Sequence, residues 1–170
     1  NPEWKKETFD GEDWRIGDTY HSAIGHYGFQ VTPIQVVRAI SAIANDGYLI
    51  APKLILTDDS SATDIEEIKI DKKYFQVVRE GMRQAVLEGT AKGLNIPQVE
   101  IGAKTGTAEL GTTKKYVNSW VVGFFPYKNP RFAFTVLMEK GPHDNTIGGL
   151  FVMRRLLDWM AIYTPEYLKE

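Results

Sequence analysis

A chain of 170 residues with 43% hydrophobic composition is long enough for one domain with a real core and too short for two comfortable ones. Its 20 basic and 22 acidic side chains leave a formal net charge of -2, which gives no electrostatic reason to expect nucleic acid or an anionic membrane surface as partner. Cysteine is absent, which excludes disulfides, thiol catalysis and Cys-based zinc sites, while 8 Tyr, 8 Phe and 4 Trp argue for a packed interior. No apolar run approaches the roughly 18 residues that a membrane span needs. The opening Asn1-Pro2-Glu3-Trp4-Lys5-Lys6 is unlike a signal peptide, so any anchor or export signal is expected outside these residues.

In chain order, the first thirty residues are rich in Trp, Gly, Asp and His and show no sustained period, and they read as a long surface-crossing segment. At Thr32-Pro33 the pattern becomes helical: Thr32 suits an N-cap, Pro33 the first helical position, and Ile34, Val37, Ile40 and Ile43 form an apolar face that reads as core. Asn45-Asp46-Gly47 stops this helix. Residues 48–56 read as extended chain interrupted by Pro52, 57–64 as a polar loop, and 65–70 as a short strand. Asp71 caps a second helix running to Leu87, with Phe75, Val78, Met82, Ala85 and Val86 on one face, and residues 88–93 end it.

From Val99 the period is two. Three strands are expected at 99–108, 119–125 and 131–138, the last two joined by a hairpin loop at 126–130, and short connections favour an antiparallel meander. After the Gly/Pro/Asn-rich stretch 141–149 a final helix covers 150–163. The order helix, helix, three strands, helix predicts an α+β fold with helices packed on an antiparallel sheet.

Chemistry concentrates in Ile101-Gly102-Ala103-Lys104-Thr105-Gly106-Thr107-Ala108-Glu109. Lys104 brings a compact cation with three donors, Thr105 and Thr107 bring hydroxyls, and Gly106 omits the Cβ that would keep a substrate backbone from lying alongside. Such a strand suits a ligand bearing a carboxylate and an amide. Alone, Lys-Thr-Gly is expected by chance in roughly one chain in twenty-five of this length, so its neighbours must carry the argument.

Those neighbours are four ordered blocks: Arg15-Ile16-Gly17-Asp18-Thr19 through Val31-Thr32-Pro33-Ile34-Gln35 to Asn45-Asp46-Gly47; Gly81-Met82 to Gly89-Thr90-Ala91; the Lys-Thr-Gly strand; and Ser119-Trp120-Val121-Val122-Gly123-Phe124-Phe125-Pro126. Together they resemble the C-terminal part of class B penicillin-binding proteins, peptidoglycan D,D-transpeptidases, most nearly the subtype that serves cell elongation. The resemblance implies a partial penicillin-binding-protein/serine β-lactamase-like transpeptidase fold. Residues 1–170 would form the C-terminal portion of that domain and contribute its last three strands and last helix. It implies that Lys104 and Thr107 are catalytic, with Lys104 keeping the site electropositive and the Thr107 N–H serving the oxyanion hole. It further implies that Thr105, Gly106 and Thr107 bind the substrate or a β-lactam, without metal or cofactor.

The implied partners are peptidoglycan stem peptide, the N-terminal part of the same protein and other cell-wall synthesis proteins, at the outer face of the bacterial cytoplasmic membrane. A β-lactamase or β-lactam sensor of the same superfamily, or a non-catalytic binding module, are the rival readings. Three departures stand out. Neither S-x-x-K nor S-x-N occurs, so no nucleophile is present; and Gly25-His26-Tyr27-Gly28 replaces the Gly-Gln-Gly common in the family. Entering the last helix, Gly148-Gly149-Leu150 replaces a small-residue-plus-proline pattern. By the same resemblance the strand at 131–138 is expected to show an unpaired edge. His21, His26 and His143 have no ligand spacing, Asp58-Asp59, Asp64 and Glu66-Glu67 lack the pattern of a calcium loop, and Trp4 and Trp14 are expected to pack against the body rather than form part of a partner or substrate groove.

Overall fold

The computed structural model describes all residues except 26, 27, 29, 56–63, 112, 145, 146 and 170. His26, Asp58, Asp59 and most of the expected polar loop at 57–64 lie outside the described residues. The chain divides into two compact units, Asn1–Val31 and Thr32–Glu170.

The first unit corrects the expectation of an irregular segment, for it contains helices α1 (Pro2–Thr8) and α2 (Ile16–Ala23). Neither buries an apolar stripe, and Lys5 and Asp18 are their buried residues. Polar contacts hold them instead. Asn1 Oδ1 accepts from the Trp4 N–H at 2.8 Å and Pro2 opens α1. The buried Lys5 ammonium donates to Asp13 O at 2.9 Å and to Asp18 Oδ2 at 2.8 Å, and Asp18 Oδ2 also accepts from the Arg15 N–H at 2.7 Å. An ammonium taken from water is tolerable only with partners of this kind. The same hydrogen bonds, from Lys5 first and the Arg15 backbone second, hold the Asp18 carboxyl below the usual carboxylate range. Trp4 meets Phe9 edge-on at 5.7 Å, and a Cβ on Gly28 would run into its ring. Trp14 Nε1 donates to Thr19 Oγ1 at 2.9 Å.

In the second unit α3 (Pro33–Ala44) starts at Thr32 as read, with a reciprocal cap in which Thr32 Oγ1 accepts from the Gln35 N–H at 3.4 Å and Gln35 Oε1 from the Thr32 N–H at 2.8 Å. Asp46 and Gly47, at φ 61° and 104°, turn the chain out of it. Strands β1 (Tyr48–Ile50) and β2 (Ile65–Glu67) pair antiparallel as a separate small sheet. Asp71 caps α4 (Lys72–Leu87) by accepting from the Lys73 N–H at 3.0 Å. Phe75, Met82 and Val86 are its buried residues, whereas Val78 is 45% exposed and stands off the core. A 3-10 turn (Lys92–Leu94) follows.

The main sheet is β3 (Gly102–Leu110), β4 (Tyr116–Phe125) and β5 (Phe132–Pro142), antiparallel in the order β3-β4-β5. Helix α5 (Gly149–Tyr163) crosses one face and a second 3-10 turn (Pro165–Tyr167) ends the fold. Alternation along the strands divides the core in two. On the α5 side, Ala103, Val121 and Phe125 pack with Met153 and Leu157 and with Leu94 and Ile96 of the turn region. On the other side Phe124 packs with Ile40 and Ala44 of α3 and Met82 of α4. Burying each large side chain removes apolar surface worth about 1.5–3 kcal/mol, which is why β4, apolar on both faces, is the central strand.

Candidate functional site

Strand β3 begins inside the core, where Ile101 and Ala103 are 0% exposed, and its exposed portion starts at Lys104. Register with β4 then sets the site: Lys104 opposes Val122, Thr105 opposes Val121, Gly106 opposes Trp120 and Thr107 opposes Ser119. Because side chains alternate, Thr105 and Thr107 share the α5 side with Ala103 and Val121, while Lys104 and Gly106 share the α3 side with Gly102 and Val122. The cation and the two hydroxyls expected to act together thus leave the strand on opposite faces, and they can meet a common ligand only at its edge. The Lys104 ammonium donates to the carbonyl of Thr105 at 2.6 Å.

Gly106 has room that it does not use. A Cβ there would find nothing nearer than Trp120 Cβ at 3.5 Å, an ordinary contact. By contrast, a Cβ on Gly102 would meet the Phe124 ring at 2.7 Å, so internal packing accounts for that glycine. Packing does not account for Gly106.

On the α5 side Thr105 and Thr107 line a cavity of about 760 Å³, with Thr90, Ser119, Phe151 and Arg154 among its walls. Its lining combines apolar side chains, including Val117, Met138 and Leu150, with the hydroxyls of Thr90, Thr105, Thr107 and Ser119, the usual makeup of a small-molecule site. Thr105 Oγ1 and Thr90 Oγ1 stand 2.6 Å apart. Arg154 is engaged already, by Nε to Asp158 Oδ1 at 2.8 Å and by Nη1 to Gly93 O at 2.9 Å. At the far end of β3 Glu109 meets Lys114 at 2.7 Å and His143 at 3.5 Å. The Lys114 ammonium, ahead of His143, holds the Glu109 carboxyl below its ordinary value, and Glu109 raises Lys114 in turn. This clasp closes the β3–β4 hairpin beside the cavity.

Thr90, Ser119 and Arg154 also line this cavity and are not among the site residues expected from the sequence. Ser119 was reachable by counting the period-two register across from Thr107. Thr90 was not, because nothing local in the chain points from residue 90 to residue 105. Among the described residues no group of three or more His, Asp and Glu side chains is placed to hold a metal ion, and no helix is long and apolar enough to cross a membrane.

Residues 5–152 match the family described as penicillin binding protein transpeptidase domain. The chain is 29% identical over 171 residues to the peptidoglycan D,D-transpeptidase MrdA of Acinetobacter baumannii, covering 88% of this chain and 25% of that protein. Among solved structures it matches the penicillin-binding protein PBP2 of Helicobacter pylori with TM-score 0.76 at 30% identity, covering 98% of this chain and 30% of that one. It matches PBP2 of Pseudomonas aeruginosa, solved in complex with WCK 5153, with TM-score 0.77 at 28% identity, covering 97% and 38%. The chain belongs to the penicillin-binding protein transpeptidase family, in its class B, elongation-type branch. It spans about a quarter to two fifths of the length of these relatives.

Proposed function

We propose that this chain is the C-terminal portion of the transpeptidase domain of a peptidoglycan D,D-transpeptidase and supplies its substrate strand. The substrate is a stem peptide ending in D-alanyl-D-alanine, or a β-lactam in its place. The serine comes from a segment carrying S-x-x-K, which these 170 residues do not contain. Its Oγ forms an ester with the penultimate D-alanine carbonyl as the amide bond breaks; the terminal D-alanine leaves with the serine's proton on its amine. An amine of a neighbouring stem peptide then attacks the ester, forms the cross-link and frees the serine.

The observation that carries this reading is Gly106, a glycine with no internal reason to be one, on a strand whose outer edge pairs with no other strand among the described residues. An extended peptide can add along such an edge. Lys104 reaching the Thr105 carbonyl supports that edge as the free one, since β4 covers the other. A strand residue's N–H and C=O share an edge and every second residue repeats it, so the same reasoning turns the Thr107 N–H outward, where it serves as an oxyanion donor. Thr105 and Thr107 hold the terminal carboxylate, and Lys104 keeps the site electropositive.

The enzyme works at the outer face of the bacterial cytoplasmic membrane, with no metal or cofactor required by these roles. Large exposed side chains on α5, Val152, Leu156, Trp159 and Tyr163 at helical spacing, and the outer edge of β5 support a covering contact from the N-terminal part of the same protein. PBP2 of Helicobacter pylori has been solved in complex with MreC, which supports a further partner protein here, in line with the cell-wall synthesis partners proposed.

The test is acylation by a fluorescent penicillin of this chain joined to its serine-bearing segment. Lys104→Ala is expected to slow labelling by about 10²-fold, the scale of a lost electrostatic contact to a developing charge. Labelling at the wild-type rate in that variant would sink the proposal.

A further inference from the structure

Thr90 reaches the site from outside the strand, in the turn that follows α4. Its neighbours are fixed: a Cβ on Gly89 would stand 2.9 Å from Ala85 Cα, and Ala91 is 0% exposed with its N–H bonded to Ala85 O at 3.0 Å. Further along, Arg154 holds Gly93 O at 2.9 Å and ties the same turn to α5. The Thr90 hydroxyl is therefore delivered by backbone anchored on both sides. It meets Thr105 Oγ1 at 2.6 Å, at the short end of the range for hydroxyl pairs.

A hydroxyl has one proton to give. Where Thr105 spends its proton on Thr90, none is left for a ligand. Where Thr90 donates instead, the Thr105 proton is free to point at an anion, and the accepted bond polarises it further. An anionic ligand on Thr105 thus fixes the direction of the pair.

We infer that Thr90 is a positioning residue for the substrate carboxylate, donating to Thr105 Oγ1 and so turning the Thr105 proton toward the anion. The inference rests on the transpeptidase reading above, in which Thr105 binds that carboxylate. Thr90 itself touches no reacting atom.

The test uses this chain joined to its serine-bearing segment and compares two probes, a fluorescent penicillin and the methyl ester of the same penicillin. The ester keeps the reactive ring and lacks the anion. Thr90→Val is expected to lower the acylation rate of the acid about tenfold, the scale for a hydrogen bond that serves a charged group, and to leave the ester unchanged. Thr90→Ser keeps the hydroxyl and restores the acid's rate. Equal losses on acid and ester mark a merely structural residue and overturn the inference, as does no loss at all. A wild-type enzyme that treats acid and ester alike, or a Thr105→Val variant with full activity on the acid, removes the carboxylate role of Thr105 and the inference with it.

Discussion

Ser119 Oγ accepts the N–H of Gly149 at 3.0 Å, so a strand side chain caps the helix that lies across it. The N-cap residue of α5 is Gly148, which has no side chain to do this. Ser119 also faces Thr107 across the ladder, and the helix cap and the Lys-Thr-Gly strand therefore meet at one residue. Gly149 makes the approach possible, since a Cβ there would stand 3.1 Å from both Ser119 O and Val136 O.

Ser119→Ala is expected to destabilise the chain by about 1 kcal/mol, the usual cost of a lost cap. Gly149→Ala is expected to cost about 1–3 kcal/mol despite alanine's better helix propensity, because sheet backbone cannot yield to the methyl group. Urea denaturation of both variants measures this, and a Gly149→Ala chain more stable than wild type would refute the close contact.

At Gly106 the expectation reverses. Gly106→Ala is expected to leave stability within about 0.5 kcal/mol, as its methyl meets only an ordinary contact. Penicillin acylation of the serine-bearing enzyme should nevertheless fall at least about tenfold, because in the proposed binding mode the ligand lies along the strand where the methyl would stand. Thermal melts paired with acylation rates separate the two effects.

Asp18 gives the first unit an acid limit. Its folded pKa lies below its unfolded value, so its stabilising contribution is complete at neutral pH and is lost as pH falls below about 4 and through the lower folded value. Asp18→Asn removes that dependence. Trp fluorescence against pH should show the wild type losing its advantage over the variant only on the acid side; a difference that persists unchanged to pH about 2 would contradict the linkage.

The 170 residues by themselves are expected to form no covalent penicillin adduct, as neither S-x-x-K nor S-x-N occurs in them. Intact-mass measurement after incubation with penicillin checks this directly. A stable adduct would mean that another side chain is acylated.

Local structure is legible in this sequence where local chemistry repeats. The Thr32 and Asp71 caps, the period-two run and the stop at Asn45-Asp46-Gly47 all write their structure into neighbouring residues. The short helices α1 and α2 escaped because their stability comes from Asn1, Lys5 and Asp18, contacts spread over the first 18 positions with no apolar period. Val78 matched the helical face of α4 in sequence and still lies exposed, since spacing shows which residues share a face and not how wide the neighbouring core is.

By itself the sequence determined the family, the three-stranded antiparallel run and the position of the Lys-Thr-Gly motif on its first strand, because motifs and alternation are properties of residues next to one another. Only the tertiary structure decided that the face carrying the two threonines is the one toward α5, that Gly106 meets nothing nearer than an ordinary contact with Trp120, and that Thr90 and Ser119 stand beside Thr105 and Thr107. Those facts depend on strand register and on where a distant turn is anchored, and both are set by how the two faces of the sheet bury their apolar side chains.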